Sequence, residues 1–306
     1  MHQLRYVLFV LIGASSYGVS ASIIKLTLGA GYLTSDAMAG QYLFGFLMLL
    51  SVFLFTKKKN MTFKQVGELL FLGLLIGLTG IFYTESLARL SASIAVVILF
   101  QFTWIGILIE AIYEKKRPSH AKMLSILFLW FGTLFAGNVS SASDFNIAGI
   151  IYGFLAAITF ALFFFFSGKM GDHLPAIQRS MIVTFGGLLL MFTIFSPRFV
   201  FDGTLTQGLW KYSILSGIFG IILPVVFFAM GTPHLDSGTA TIIGAAELPS
   251  AIIAATFLLG EYVTTMQVVG VILILIGIAI PQIYNRWQRP PNIFKEKHIE
   301  IWGNDM

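Results

Sequence analysis

A carboxylate and a proline stand two residues apart in GAAELPSA, residues 244–251, in the middle of an otherwise apolar run. Glu247 lies about nine residues into a stretch of about 22, roughly 14 Å from its end at a rise of 1.5 Å per residue, too deep to reach an interface. A charged group at the centre of a membrane-spanning helix costs about 2.5–3.5 kcal/mol on insertion scales, so such groups face a partner or a watery cavity and mark function. The chemistry open to Glu247 is contact with a solute and exchange of a proton with water. Pro249 removes a backbone donor and clashes with the carbonyl of Ala245, which predicts a helix break and free acceptors beside the carboxylate. Gly244, Ala245, Ala246 and Ala251 leave room for a solute or for close helix approach. GAAELPSA therefore reads as a wall of a binding cavity, against a structural pair of Glu247 with Lys25 or a plain kink at Pro249.

Beyond the first four residues of each apolar stretch, three other charged groups fall inside. Lys25 is about three residues from the end of its stretch, within snorkelling distance of the interface. Glu85 and Arg89 have the i, i+4 spacing of an ion pair on one helix face, the alternative being a gate formed with Lys25. Glu110 comes close to the end of its stretch, near Lys115 and Lys116, and is expected at the interface. All five histidines and all six aspartates lie at or outside the ends of apolar segments, and cysteine is absent. No metal site and no thiolate chemistry is expected. An intramembrane enzyme needs a nucleophile with a base, a metal or paired carboxylates, and GASSYG at 13–18 supplies serines without a positioned base. With no Walker lysine motif either, neither an enzyme, a cofactor nor an ATP-driven device is expected.

These residues must be positioned by membrane-spanning helices. Of 306 residues, 57% are hydrophobic and 11% charged, far from the soluble average of about 45–50% and about 25%. A core of about 30 Å needs about 20 apolar residues per helix, and ten spans of that length can be drawn. They cover 6–28, 37–56, 66–87, 91–112, 121–138, 147–168, 176–196, 211–231, 238–259 and 264–284. The connectors on the side of the N-terminus carry fifteen lysines and arginines, in clusters such as 57–59 and 115–117, against Arg89, Arg198 and Lys211 on the other side. Positive connectors stay cytoplasmic, so both termini are expected there, with residues 285–306 as a cytoplasmic tail. The net charge of +5 follows from this topology and gives no reason to invoke nucleic acid.

FYTESLARLSASIAVVILFQFTW, residues 82–104, aligns without a gap on FFAMGTPHLDSGTATIIGAAELP, residues 227–249, and past a small insertion EKKRPSHAKMLSILFLWFGTLFAG parallels GEYVTTMQVVGVILILIGIAI. Residues 1–138 and 147–284 are thus two five-helix repeats. Five is odd, so the second copy enters the membrane from the opposite side, the architecture of carriers that bind substrate near mid-membrane where the repeats meet. Gln101 aligns with Ala246, one residue from the match of Glu247, and brings a second polar group to the same depth. Trp104, Tyr17, Tyr83 and Tyr152 are candidate cavity walls, with packing or interface anchoring as the alternative. FALFFFF at 160–166 is expected to face lipid and neighbouring helices. GLLIG at 73–77 and GIIYG at 149–153 mark close helix packing.

Each repeat ends in a small-residue-rich helix, a turn and a glycine-containing last helix, and the second carries Pro249, Gly260, Glu261, Gly270 and Gly277. In this the chain resembles the EamA family of the drug/metabolite transporter superfamily. The first repeat departs from the pattern, with Trp104 in place of the proline and Glu114 followed by basic residues in place of the Gly–Glu turn. The resemblance implies an all-α membrane protein of ten helices in two inverted repeats. It implies a secondary transporter, an exporter of small organic metabolites or amino-acid-like solutes working by alternating access in the cytoplasmic membrane, with a lipid or lipid-precursor flippase as the alternative. Proton exchange at Glu247 would couple the cycle, an uncoupled facilitator being the rival. The partners expected are a small-molecule solute and membrane lipid, and nothing in these residues specifies an oligomer.

Overall fold

Where no water reaches the backbone, every N–H and C=O must be satisfied within its own segment, which leaves the helix as the form for apolar runs of this length. The computed structural model describes residues 2–90, 92–136, 146–260 and 262–287, and over these the chain is helical, with no strand. The first half contains α1 (His2–Gly29), α2 (Thr34–Leu54), α3 (Phe63–Leu87), α4 (Ala92–Leu99), α5 (Phe102–Glu114) and α6 (His120–Ala136). The second contains α7 (Ile147–Ser167), α8 (Ala176–Ile194), α9 (Trp210–Gly217), α10 (Leu223–Gly231), α11 (Ser237–Gly244), α12 (Glu247–Leu259) and α13 (Thr265–Trp287). Among the described residues, nine helical stretches are long and apolar enough to cross a membrane, and α6, with 17 residues, is a shorter apolar tenth. Outward-facing Trp130, Phe131 and Leu134 on α6, and Val268, Ile272 and Leu275 on α13, are exposed apolar side chains of the kind that meets lipid. The tail drawn from residue 285 begins as the last turn of α13, and residues from 288 onward lie outside the described part.

The packing of the two halves is related by an exchange. α1 packs on α12 and α10, and its counterpart α7 packs on α5 and α3. Likewise α2 packs on α9 where α8 packs on α3, while α6 and α13 pack on each other. The GxxxG pairs act as expected. A Cβ on Gly73 would overlap the carbonyl of Val183 in α8, and one on Gly153 would lie 2.7 Å from Ile98 in α4.

The ninth span, where Pro249 predicts a break, and the fourth, where no break is expected, are both interrupted. In the second half Ala246 N–H bonds to Ile243 C=O and Leu248 N–H to Ala245 C=O, a tight turn in place of the regular ladder. In the first, Gln101 N–H bonds to Ile98 C=O and Thr103 N–H to Phe100 C=O, the same pattern at the aligned residues. Pro249 accounts for a break one turn ahead of itself, at Ala245. The first copy breaks at the matched place with Trp104 there instead, so the interruption belongs to the repeat and does not depend on a proline. The acceptor expected to be free at Ala245 is taken by the Leu248 N–H, because the tight turn offers it a donor three residues on.

The gap-free register extends further than the sequence alignment, which placed an insertion after the fifth helix. α5 ends in a left-handed residue, Lys115 (φ 53°), where α12 ends in Gly260 (φ 68°). Ser119 Oγ then accepts the Lys122 N–H at the start of α6, and Thr264 Oγ1 accepts the Gln267 N–H at the start of α13. Both pairs stand in the register of the broken helices, so no insertion is needed. Lys115 takes the place of Gly260 and Lys116 that of Glu261, a residue outside the described part.

FALFFFF is the centre of the core and not a lipid-facing surface. Phe160, Phe163, Phe164 and Phe165 are all buried, and Phe164 packs 4.9 Å from Phe228 of α10 and Phe160 4.7 Å from Phe102 of α5, ring to ring. α7 packs on α3, α4, α5 and α11, and its exposed side chains, among them Ile151, Phe154 and Ile158, precede this run.

Candidate functional site

Glu247 is the first residue of α12, directly after the break. α1 is drawn against this point because Gly18 has no side chain: a Cβ there would overlap the carbonyl of Glu247 and lie 2.5 Å from the amide of Ala251. That approach sets Tyr17 beside Glu247. The Tyr17 ring lies 6.2 Å from Phe160 and 5.8 Å from Phe228, and its hydroxyl is buried with no hydrogen-bond partner. The Glu247 carboxylate is near enough to interact electrostatically with the hydroxyls of Tyr17 and of Tyr83 from α3, and Tyr17 with that of Tyr42 from α2. Glu247 sits deep among the helices, keeps part of its side-chain surface open, and has no hydrogen bond or ion pair with any described residue. Three helices, α1, α3 and α12, thus converge on this acid.

Tyr42 was not singled out from the sequence. It is 5% exposed and packs on Gly187 of α8, where any Cβ would overlap its ring. A tyrosine beside Gln41 in an apolar span was the available signal.

Other expected site residues sit elsewhere. Gln101 Nε2 donates to the Val97 carbonyl at 2.8 Å, and Trp104 Nε1 donates to Gln101 Oε1 at 2.8 Å, so the amide satisfies the backbone freed by the break. Gln101 borders a cavity of about 200 Å³ between α4, α5 and α6, with Thr103 and Thr133 on its wall. Tyr152 packs against Phe82 and under the Arg89 guanidinium, 5.0 Å from the ring centre. Arg89 also pairs with Glu85 and donates to its carbonyl at 2.9 Å, all at the end of α3. Lys25 is exposed in a second cavity of about 210 Å³, a groove bounded by α1, α4, α12 and α13. The groove follows α12 from Leu259 back to Ala251, one turn short of Glu247, and neither cavity includes Glu247 itself.

Two of the fifteen basic residues counted on the side of the N-terminus, Arg179 and Lys122, are structural. Arg179 in α8 is 2% exposed and donates to the carbonyl of Ser167 and, at 3.2 Å, to that of Ala229. A guanidinium at the last turn of α7 satisfies carbonyls that a helix end leaves free. Lys122 lies 2.6 Å from Glu110 and 2.5 Å from Asp236. Glu110, expected at the interface beside Lys115 and Lys116, is instead 6% exposed and is the buried member of this triad. Burial pushes the Asp236 carboxyl up, but the Lys122 ammonium and the hydrogen bonds from Thr239 outweigh it and hold it below the usual range. Asp236 also caps α11, accepting the Thr239 N–H at 2.8 Å.

The EamA-like transporter family model matches residues 4–137 and 147–281, one match per half. An uncharacterized transporter of Archaeoglobus fulgidus is 29% identical over 133 residues, which is 43% of this chain and 47% of the relative. The chain therefore spans about half the length of that relative. A solved structure described as a crystal structure of protein superposes with a TM-score of 0.71 over 92% of this chain and 98% of its own, at 13% identity, a likeness of fold.

Proposed function

As a member of the EamA-like transporter family, the chain is a multi-pass membrane transport protein and not an enzyme, and we propose that it is a secondary exporter of a small, amino-acid-like organic solute. It works by alternating access in the cytoplasmic membrane, with both termini on the cytoplasmic side. The observation that carries this reading is the unpaired Glu247 at the start of a broken helix, inside the bundle, with Tyr17 and Tyr83 beside it. An acid with no cationic partner among the described residues suits the ammonium group of such a solute. The unpartnered Tyr17 hydroxyl suits a polar group on the same molecule, since a buried hydroxyl left unsatisfied is costly. Exchange of the bound solute for a proton on the same carboxylate couples the cycle to a proton gradient. Gly18, Ala245 and Ala246 beside Glu247 are small and closely packed, which gives no support to a lipid-sized groove there.

Flux in proteoliposomes tests the site. Glu247→Gln keeps the volume and removes the charge, and it lowers solute flux by about 100-fold or more if the carboxylate binds a cationic group in the cycle. Unchanged flux with unchanged pH dependence removes Glu247 from the mechanism.

A further inference from the structure

The two ends of the broken helices share a backbone plan and differ in chemistry. At one end, α5, α6 and α11 meet in the triad of Glu110, Lys122 and Asp236. The gap-free register places Ala255 opposite Glu110, Gln267 opposite Lys122 and Ala251 opposite Gly106, and all three of these line the open groove beside Lys25. At the matched positions one end of the path toward Glu247 therefore has two alanines and a glutamine on the wall of an open groove, and the other is filled by ion pairs.

We propose that Glu110, Lys122 and Asp236 form an ion-paired lock that holds one end of the transport path shut, and that the Lys122–Asp236 bond is the one that breaks when access reverses. This rests on the carrier reading, because it needs two alternating states. The lock spans the two halves: Glu110 and Lys122 belong to α5 and α6 of the first, Asp236 to the start of α11 in the second. The seam around it is tight. A Cβ on Gly238 would overlap Glu110 Oε2 and lie 3.1 Å from Lys122 Nζ, and one on Gly106 would overlap the Thr241 methyl. Side-chain exposure separates the two bonds, 8% for Glu110, 15% for Lys122 and 37% for Asp236. Breaking the bond between halves releases Asp236 toward water and leaves Lys122 with Glu110 as counter-ion, so no buried charge is stranded. Glu110 Oε1 is buried without a hydrogen-bond partner and supplies the acceptor that Lys122 then lacks. The bond within the half has no such outlet.

The chain has no cysteine, so single-cysteine variants report one position each. Thr241→Cys lies on the seam, 0% exposed, and Ala255→Cys lies in the groove at the opposite end. Each is combined with Asp236→Asn, which keeps the helix cap and removes the charge. The rate of modification by a water-soluble maleimide is read on the full chain in nanodiscs, where both faces are accessible. The lock is supported when Asp236→Asn raises the rate at 241 about tenfold or more, the scale of one lost charge-assisted hydrogen bond, and lowers it at 255. No change at 241 overturns it, as does a rise at both positions, which marks general loosening. Flux through Glu247→Gln separates the two readings. A silent lock in a protein whose flux needs Glu247 sinks the lock alone, and a responsive lock with flux indifferent to Glu247 sinks the proposed binding site alone.

Discussion

The α4–α5–α6 and α11–α12–α13 triplets follow one backbone course and finish it with opposite side chains. The tight turn, the left-handed helix end and the hydroxyl cap recur at matched residues. Yet where the first triplet buries Glu110 and Lys122, the second has Ala255 and Gln267 facing an open groove. Backbone hydrogen bonding constrains the turns and caps, because an unsatisfied N–H or C=O is costly in either copy. The side chains that close or open the ends are free to diverge. An inverted pair can in this way keep equivalent hinges while its two ends bind differently to themselves.

The largest effect that tests this contrast comes from the two matched positions at the helix starts. Lys122→Ala strands the buried Glu110 carboxylate and costs about 3–5 kcal/mol of stability, as removing one partner of a buried pair does. Gln267→Ala loses only a reciprocal cap contact and costs about 1 kcal/mol or less. Thermal unfolding of both variants in one detergent measures the difference, and equal losses would erase the distinction between the ends. A smaller effect sharpens it at the helix ends. Lys115→Gly relieves a left-handed side-chain residue and stabilises by about 1 kcal/mol, while Gly260→Ala destabilises by about the same. Opposite signs in the same assay confirm that the two ends share one geometry.

The smallest expected effect is an absence of pH dependence. The folded-state carboxyl of Asp236 is held below its usual range, so its contribution is complete above that range and is lost only as pH falls through the lowered value. Between about pH 5 and 8 the Asp236→Asn effect on labelling at 241 is therefore flat. A slope in that window would show that the triad titrates during the cycle.

Much of the frame was legible because the membrane imposes local demands. Apolar length marks the spans, and the aligned runs 82–104 and 227–249 mark the duplication. Pro249 pointed to one break for a sound reason, but the second came from repeat geometry with Trp104 in the proline's place. Glu247 stood out since a lone acid in an apolar run is improbable without a use. Lys122 and Arg179 did not, because a basic residue at the mouth of a span reads as a loop charge whether or not it folds inward.

What the amino-acid order determined alone is the number, length and duplication of the apolar helices, properties that depend only on how many residues cross a core of fixed thickness. Which face of each helix turns inward was decided only by tertiary packing. In a bundle whose lipid side and interior are both apolar, amphipathic patterning does not mark the inner face, and close contacts between small residues take over. Gly18 against Glu247 and Gly238 against Glu110 are two such contacts. They bring Tyr17 and Tyr83 to one acid and join Lys122 to Asp236 across the halves.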